Sequence, residues 1–191
     1  METRTILWGK IAAGDKEAYA DLFRDFYRRL YNYGKKFTTD ESLIEDAAQE
    51  TLLIIWQKRE SIPVITYPET YSYSIFRNTL FTRLKTQQRY GAENTVAEEP
   101  EFGIDHIIIS RETDTLTTQK IQKALAALTS RQREAIFLRF YEGLPYEEVA
   151  STLGITTKAT YKIVARALDE LRQQLNMPNG LLIGLLTRLL G

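Results

Sequence analysis

Apolar positions recur at helical spacing along most of this chain. The run LWGKIAAG, from Leu7 to Gly14, predicts a short first helix. Asp15 then caps a longer one, in which Tyr19, Leu22, Phe23, Phe26, Leu30 and Tyr33 repeat with helical period and read as core. Thr38-Thr-Asp-Glu41 opens the next helix near Asp40. At about 100° per residue, Leu43, Ile44, Ala47, Ala48, Ile54 and Ile55 share a broad buried face, and Glu45, Asp46 and Gln49 share the opposite one. The two prolines of SIPVITYPET mark a loop. The helix YSYSIFRNTLFTRLKTQQRY follows.

The C-terminal half shows a second helical set. Thr129-Ser-Arg-Gln132 has capping-box form, and Ile136, Phe137 and Phe140 continue as an apolar stripe up to Gly143. Pro145 suits the first turn of the next helix, and Glu147 and Glu148 suit its positive end. That helix stops at Leu153, Gly154 makes the turn, and Thr156 or Thr157 caps a third helix. On this third helix Ala159, Thr160, Ile163, Val164, Ala167 and Leu171 face inward. Lys158, Tyr161, Lys162, Ala165 and Arg166 face outward. Pro178 and Asn179-Gly180 are expected to break the helix, and the apolar run after them to pack back onto it.

Composition adds limits. The 191 residues carry 25 Lys and Arg against 25 Asp and Glu, so any attraction to nucleic acid must come from local patches. There is no cysteine, which excludes disulfides and thiolate metal sites. The single histidine, His106, cannot build a metal site alone and reads as a loop residue. The N-terminus lacks the apolar core of a signal peptide, and no run reaches the roughly 18 apolar residues of a membrane span. Residues 92 to 115 differ from the rest: seven acids face Arg111 alone, the composition of a solvated linker. Ile107 to Ile109 are expected to anchor one end of it. The expected fold is therefore all-α: helical domains at 5–91 and 116–176, an acidic linker at 92–115 and an apolar tail at 177–191.

Three helices carry candidate chemistry. The helix from Thr157 has no acid between Glu148 and Asp169, so a short helix, a glycine turn and a basic outward face together suit a DNA major groove. The other reading is a helical hairpin with solvated lysines. The helix after the proline loop carries Arg77, Arg83, Lys85 and Arg89 with Tyr71, Tyr73 and Asn78, and no acid between Glu69 and Glu93. Cations for phosphates and rings for bases suit single-stranded nucleic acid. A solvated basic helix with core tyrosines fits equally. On the helix from Asp40, Leu53 and Trp56 fall on the polar side. Either a protein partner or another helix of the same domain covers them.

The motifs Glu142-Gly-Leu-Pro-Tyr-Glu-Glu-Val-Ala150, Leu153-Gly-Ile-Thr156 and Arg166-Ala-Leu resemble region 4 of bacterial sigma factors. Ile44-Glu-Asp-Ala-Ala-Gln-Glu50 with Trp56 resembles region 2.2. The resemblance is closest to the extracytoplasmic-function (ECF) group. It implies that Asp46, Gln49, Glu50 and Trp56 dock on the β′ coiled-coil of core RNA polymerase. It implies that Tyr67, Tyr71, Arg77, Asn78, Arg83 and Lys85 read the melted −10 strand of promoter DNA, with Ile62 and Val64 beside Tyr67 in a base-capturing loop. It assigns Thr156, Thr157, Lys158, Tyr161, Lys162 and Arg166 to the −35 element. It also implies a linker threaded through polymerase, a cytoplasmic location and an anti-sigma partner. Tyr71-x-Tyr73…Arg77-Asn78 resembles the Bacteroidetes variant, but Ser72, Thr82 and Lys85 depart from the common pattern and leave individual −10 contacts open. The alternative is a stand-alone helix-turn-helix regulator. No Gly-rich phosphate loop, nucleophile–histidine pair or metal-ligand cluster marks an enzyme, and no cofactor, metal or small-molecule substrate is implied.

Overall fold

The computed structural model describes residues 2–61, 68–91, 99–103 and 115–190. All regular structure among them is helical, and the chain divides into two compact units, Met1–Pro100 and Glu101–Gly191. The loop residues Ile62, Val64 and Tyr67, and the linker residues His106 and Ile107 to Ile109, lie outside the described residues.

The first unit holds α1 (Glu2–Ala12), α2 (Lys16–Gly34), α3 (Glu41–Lys58) and α4 (Pro68–Gly91). α1 begins at Glu2, ahead of the expected Leu7, and buries Trp8 and Ile11. Asp15 caps α2: its Oδ1 accepts from Glu17 N at 2.9 Å and Ala18 N at 3.1 Å. Asp40 caps α3 by accepting from Leu43 N at 3.1 Å. Such caps are worth about 1 kcal/mol each and fix where the helices start. The buried face of α3 is Ile44, Ala47, Ala48, Thr51, Leu52 and Ile55, shifted from the expected one. Leu43 and Ile54 sit at its margin. Thr51 enters because its hydroxyl donates to Ala47 O at 2.7 Å and so buries no unpaired group.

α2, α3 and α4 pack on one another, and Gly34 allows it. A Cβ at Gly34 would lie 2.7 Å from Ile44 Cγ2 and 2.9 Å from Phe76 Cζ, closer than carbon atoms tolerate. The last turn of α2 therefore approaches both partners where a side chain would hold them apart.

The second unit holds α5 (Thr115–Ala127), α6 (Ser130–Ile136), α7 (Tyr146–Leu153), α8 (Thr157–Leu175) and α9 (Asn179–Leu190). α8 is its hub and touches α5, α6, α7 and α9. The capping box at α6 is complete: Gln132 N donates to Thr129 Oγ1, and Thr129 N donates to Gln132 Oε1 at 2.8 Å. α6 runs on toward Gly143 as expected, but its last stretch, Phe137–Tyr141, is a π-turn rather than an α-turn. Gly154 ends α7 at φ +64°, a left-handed conformation that favours glycine.

The break after α8 falls earlier than expected. Asn176 closes α8 with φ +51°, and Asn179-Gly180 form the first turn of α9 instead of interrupting a helix. α9 packs on α8 and the π-turn and buries Leu182 and Leu186, with Leu181 and Ile183 left outward. Each buried leucine contributes about 1.5–3 kcal/mol. Among the described residues, no helix is long and apolar enough to cross a membrane.

The acidic segment also holds an unforeseen anchor. Phe102 is fully buried in the second unit, 5.5 Å from the Phe137 ring. Its N–H donates to Ser130 Oγ at 2.7 Å. Arg133, itself buried, donates to Phe102 O at 2.7 Å, Leu128 O at 2.6 Å and Glu101 Oε1 at 2.9 Å. Residues 101–103 thus pack as part of a folded unit, inside the stretch read as linker.

The Gly34 contact yields the first prediction. Both tryptophans, Trp8 and Trp56, lie in the first unit, so tryptophan fluorescence during urea unfolding reports that unit alone. Gly34→Ala overpacks the junction and should cost about 1–3 kcal/mol. Gly9→Ala, with nothing within 4 Å of its new Cβ, should be neutral or stabilising by about 0.5–1 kcal/mol.

Candidate nucleic-acid and polymerase interfaces

The outward face of α8 follows the reading of its sequence. Lys158, Tyr161, Lys162, Ala165 and Arg166 are exposed, and Thr160, Val164, Ala167 and Leu171 are buried. Thr156 is the N-cap: its hydroxyl accepts from Ala159 N at 3.2 Å. Thr157 opens the helix, half-buried. The α7–Gly154–α8 unit therefore presents the first turns of a basic helix, the part that reaches base edges when such a helix enters a major groove.

α4 divides the residues first grouped as a −10 set. Tyr71, Asn78 and Lys85 recur every seventh position, which returns to nearly the same angle on a helix and spans about 21 Å. Asn78 is exposed, and Tyr71 and Lys85 are half-buried. Tyr73 lies off this stripe and is fully buried, edge-on to Tyr33 at 5.3 Å, so it is a core ring. The Arg77 guanidinium lies 4.1 Å over the ring of Phe81.

Arg83 points elsewhere, roughly 140° round the helix from Asn78. It donates to Glu50 Oε2 at 2.7 Å and to Asp46 Oδ2 at 3.3 Å, both on α3. Residues that the sequence reading assigned to two different partners are one cluster. An open groove of about 480 Å³ runs beside them, lined by Asp40, Leu43, Asp46, Arg83 and Gln87 among others.

The exposed face of α3 carries Asp46, Gln49, Glu50 and Leu53. Trp56 belongs mostly to its own domain. Its ring lies 4.8 Å from Tyr19 and under the Arg59 guanidinium at 4.5 Å. Tyr19 in turn donates to Leu52 O at 2.9 Å, and burial pushes its phenol above the ordinary value. The exposed apolar group is instead Leu53, at 53%. Its position on a polar face marks it in the sequence, beside Trp56, to which the resemblance assigns the docking role. On the other edge of α3, Tyr27 lies beside Glu45. Burial first, then the Glu45 charge, raise its phenol.

Comparison with known proteins fits this division. The Sigma-70 region 2 family profile matches residues 22–90, and the Sigma-70 region 4 profile matches residues 118–171. Together they cover well over half of the chain, one in each compact unit. The chain belongs to the sigma-70 family. Relatives point to its ECF group. The ECF RNA polymerase sigma factor SigL of Mycobacterium tuberculosis is 27% identical over 183 residues, covering 86% of this chain and 97% of that one. The ECF RNA polymerase sigma factor RpoE of Cereibacter sphaeroides is 25% identical, covering 85% and 88%. Two solved structures share the fold at TM-score 0.59. One is CnrH in complex with the cytosolic domain of CnrY, 20% identical over 90% of this chain and 96% of that one. The other is the sigma factor RpoE in complex with the anti-sigma factor NepR from Bartonella quintana, 24% identical over 83% and 97%.

In this sigma factor the Arg83 cluster is a surface feature. Arg83, Asp46 and Glu50 have side chains 37%, 59% and 45% exposed, and such pairs contribute less than about 1 kcal/mol. Arg83→Ala should leave the urea midpoint of the tryptophan signal within that margin. A larger loss would make the cluster a structural brace for region 2.

Proposed function

We propose that this ECF sigma factor divides promoter recognition among three faces. The α3 face of Asp46, Gln49, Glu50 and Leu53 docks on core RNA polymerase through its β′ coiled-coil, with Trp56 supporting it from within. The α4 stripe of Tyr71, Asn78 and Lys85, flanked by Arg77, holds the melted −10 strand, a role to which the resemblance also assigns Tyr67. The α8 face of Lys158, Tyr161, Lys162 and Arg166, entered through Thr156 and Thr157, reads the duplex −35 element. The observation that carries this reading is the pairing of both sigma regions in one chain, each with its own outward face of fitting chemistry. A stand-alone regulator needs α8 but has no use for an exposed Leu53 among carboxylates.

Arg83 joins the docking and −10 faces, since Asp46 and Glu50 hold it on the α3 side of α4. The protein contributes recognition and strand capture, and polymerase makes the phosphodiester bonds. It works in the cytoplasm without a cofactor. An anti-sigma factor that covers these faces would hold it inactive. The resemblance of Tyr71-x-Tyr73…Arg77-Asn78 to the Bacteroidetes variant supports membership of that variant, with Ser72, Thr82 and Lys85 as its departures.

Docking is tested by Gln49→Ala combined with Leu53→Ala, both exposed, so the fold survives and the tryptophan unfolding curve stays unchanged. On this reading the two positions are hot spots, which cost about 2 kcal/mol or more on truncation, so affinity for core polymerase should fall at least roughly tenfold. Unchanged affinity in a folded double variant would remove α3 from the polymerase interface.

A further inference from the structure

The π-turn, α7 and α8 each contribute one member of a layered stack on the helix-turn-helix. The rings of Tyr146 and Tyr161 lie 4.1 Å apart and 20° from parallel. The Arg139 guanidinium sits 5.0 Å over Tyr146 and donates through Nη1 to Leu144 O at 3.3 Å. Its Nε is buried without a hydrogen-bond acceptor among the described residues, so the ring of Tyr146 is a principal partner of that cation. Tyr146 is the first residue of α7 and half-buried. Tyr161 is 50% exposed in the second turn of α8, between Lys158 and Lys162.

A tyrosine on an exposed helix face ordinarily samples several rotamers, and binding must select one of them. Here one face of the Tyr161 ring is already covered. We propose that Tyr146, braced by Arg139, is a positioning residue that fixes the Tyr161 ring for an apolar contact with the 5-methyl group of one thymine in the −35 element. This deepens the −35 assignment and rests on it. The thymine methyl is the apolar feature of the major groove edge, and a preset ring edge suits it. Lysines on either side supply phosphate contacts, which position the helix but carry no sequence information directly. Tyr146 then affects sequence preference without touching a base.

The test uses holoenzyme assembled from core polymerase and the full chain, with duplex libraries randomised across the −35 element as probe. Wild type should prefer thymine at one position and bind several-fold less well when that thymine is replaced by uracil, which lacks the methyl. Tyr161→Ala and Tyr146→Ala should each flatten that same position, by roughly two- to tenfold. The double variant should be no worse than Tyr161→Ala. Tyr146→Phe keeps the ring and should keep the preference. Tyr146→Leu keeps apolar bulk in the first turn of α7 and should lose it, which separates stacking from folding. The salt dependence should stay unchanged throughout. The stack is overturned if Tyr146→Ala alters a different position, adds to Tyr161→Ala, or lowers the salt slope by about one as a lost phosphate contact does. It is also overturned if uracil substitutes freely for thymine. Those outcomes leave −35 recognition standing. A wild-type holoenzyme that enriches no −35 sequence overturns both.

Discussion

Region 2 depends on a missing side chain. α3 and α4 both meet α2 at its last turn, where Gly34 leaves no room for a Cβ between Ile44 and Phe76. Close packing there sets where α3 and α4 lie relative to each other, and protein interiors do not absorb an added carbon without shifting. The outer face of α3 carries carboxylates and Leu53, and α4 carries a polar stripe and the guanidinium of Arg83, which crosses to Asp46 and Glu50. The two faces proposed for polymerase and for the melted strand thus share one closely packed junction and one ionic cluster.

Region 4 is organised around α8 instead. Three of its four buried residues are small or β-branched, Thr160, Val164 and Ala167, with Leu171 the fourth, and α5, α6 and α7 pack around it. The outward residues are then left exposed, free for the proposed −35 contact. Two further contacts tie other segments into this unit. Phe102 and the three-way hydrogen bonding of Arg133 tie residues 101–103 to α6. The Arg139–Tyr146–Tyr161 stack joins the π-turn to both helices of the motif. With net charge zero, the protein has no general pull on nucleic acid, so any selectivity must come from local arrangements.

What sequence could reveal was local chemistry. Asp15 and Thr129 cap the helices expected of them, Asp40 caps the helix expected to open near it, and of Thr156 and Thr157 it is Thr156 that caps α8, because a cap is decided by neighbours three residues away. The inward face of α8 was readable because its period and burial agree. Contacts between distant residues were not readable. Nothing around Gly34 in the sequence announces Ile44 and Phe76. Phe102 sits among acids whose composition argues against packing, and its partners lie some thirty residues on. Arg83 looked like one more DNA cation until Asp46 and Glu50 were found opposite it. Trp56 looked exposed by angle alone, but Tyr19 covers it. Asn179-Gly180 suggested a break that Asn176 had already made. The residues assigned to polymerase and DNA were found by resemblance, and the helices give them faces.

The central claim is that one chain reads duplex DNA with α8 and melted DNA with α4. Permanganate footprinting of unpaired thymines, run beside duplex-binding titrations on a selected promoter with core polymerase, measures both. With Asn78→Ala and Lys85→Ala combined, duplex binding should survive and the permanganate signal should be lost. With Lys162→Ala, duplex binding should weaken, while polymerase still engages a pre-melted template. If the Asn78 and Lys85 double variant opens promoter DNA as well as wild type does, α4 does not hold the melted strand and the division of labour described here is wrong.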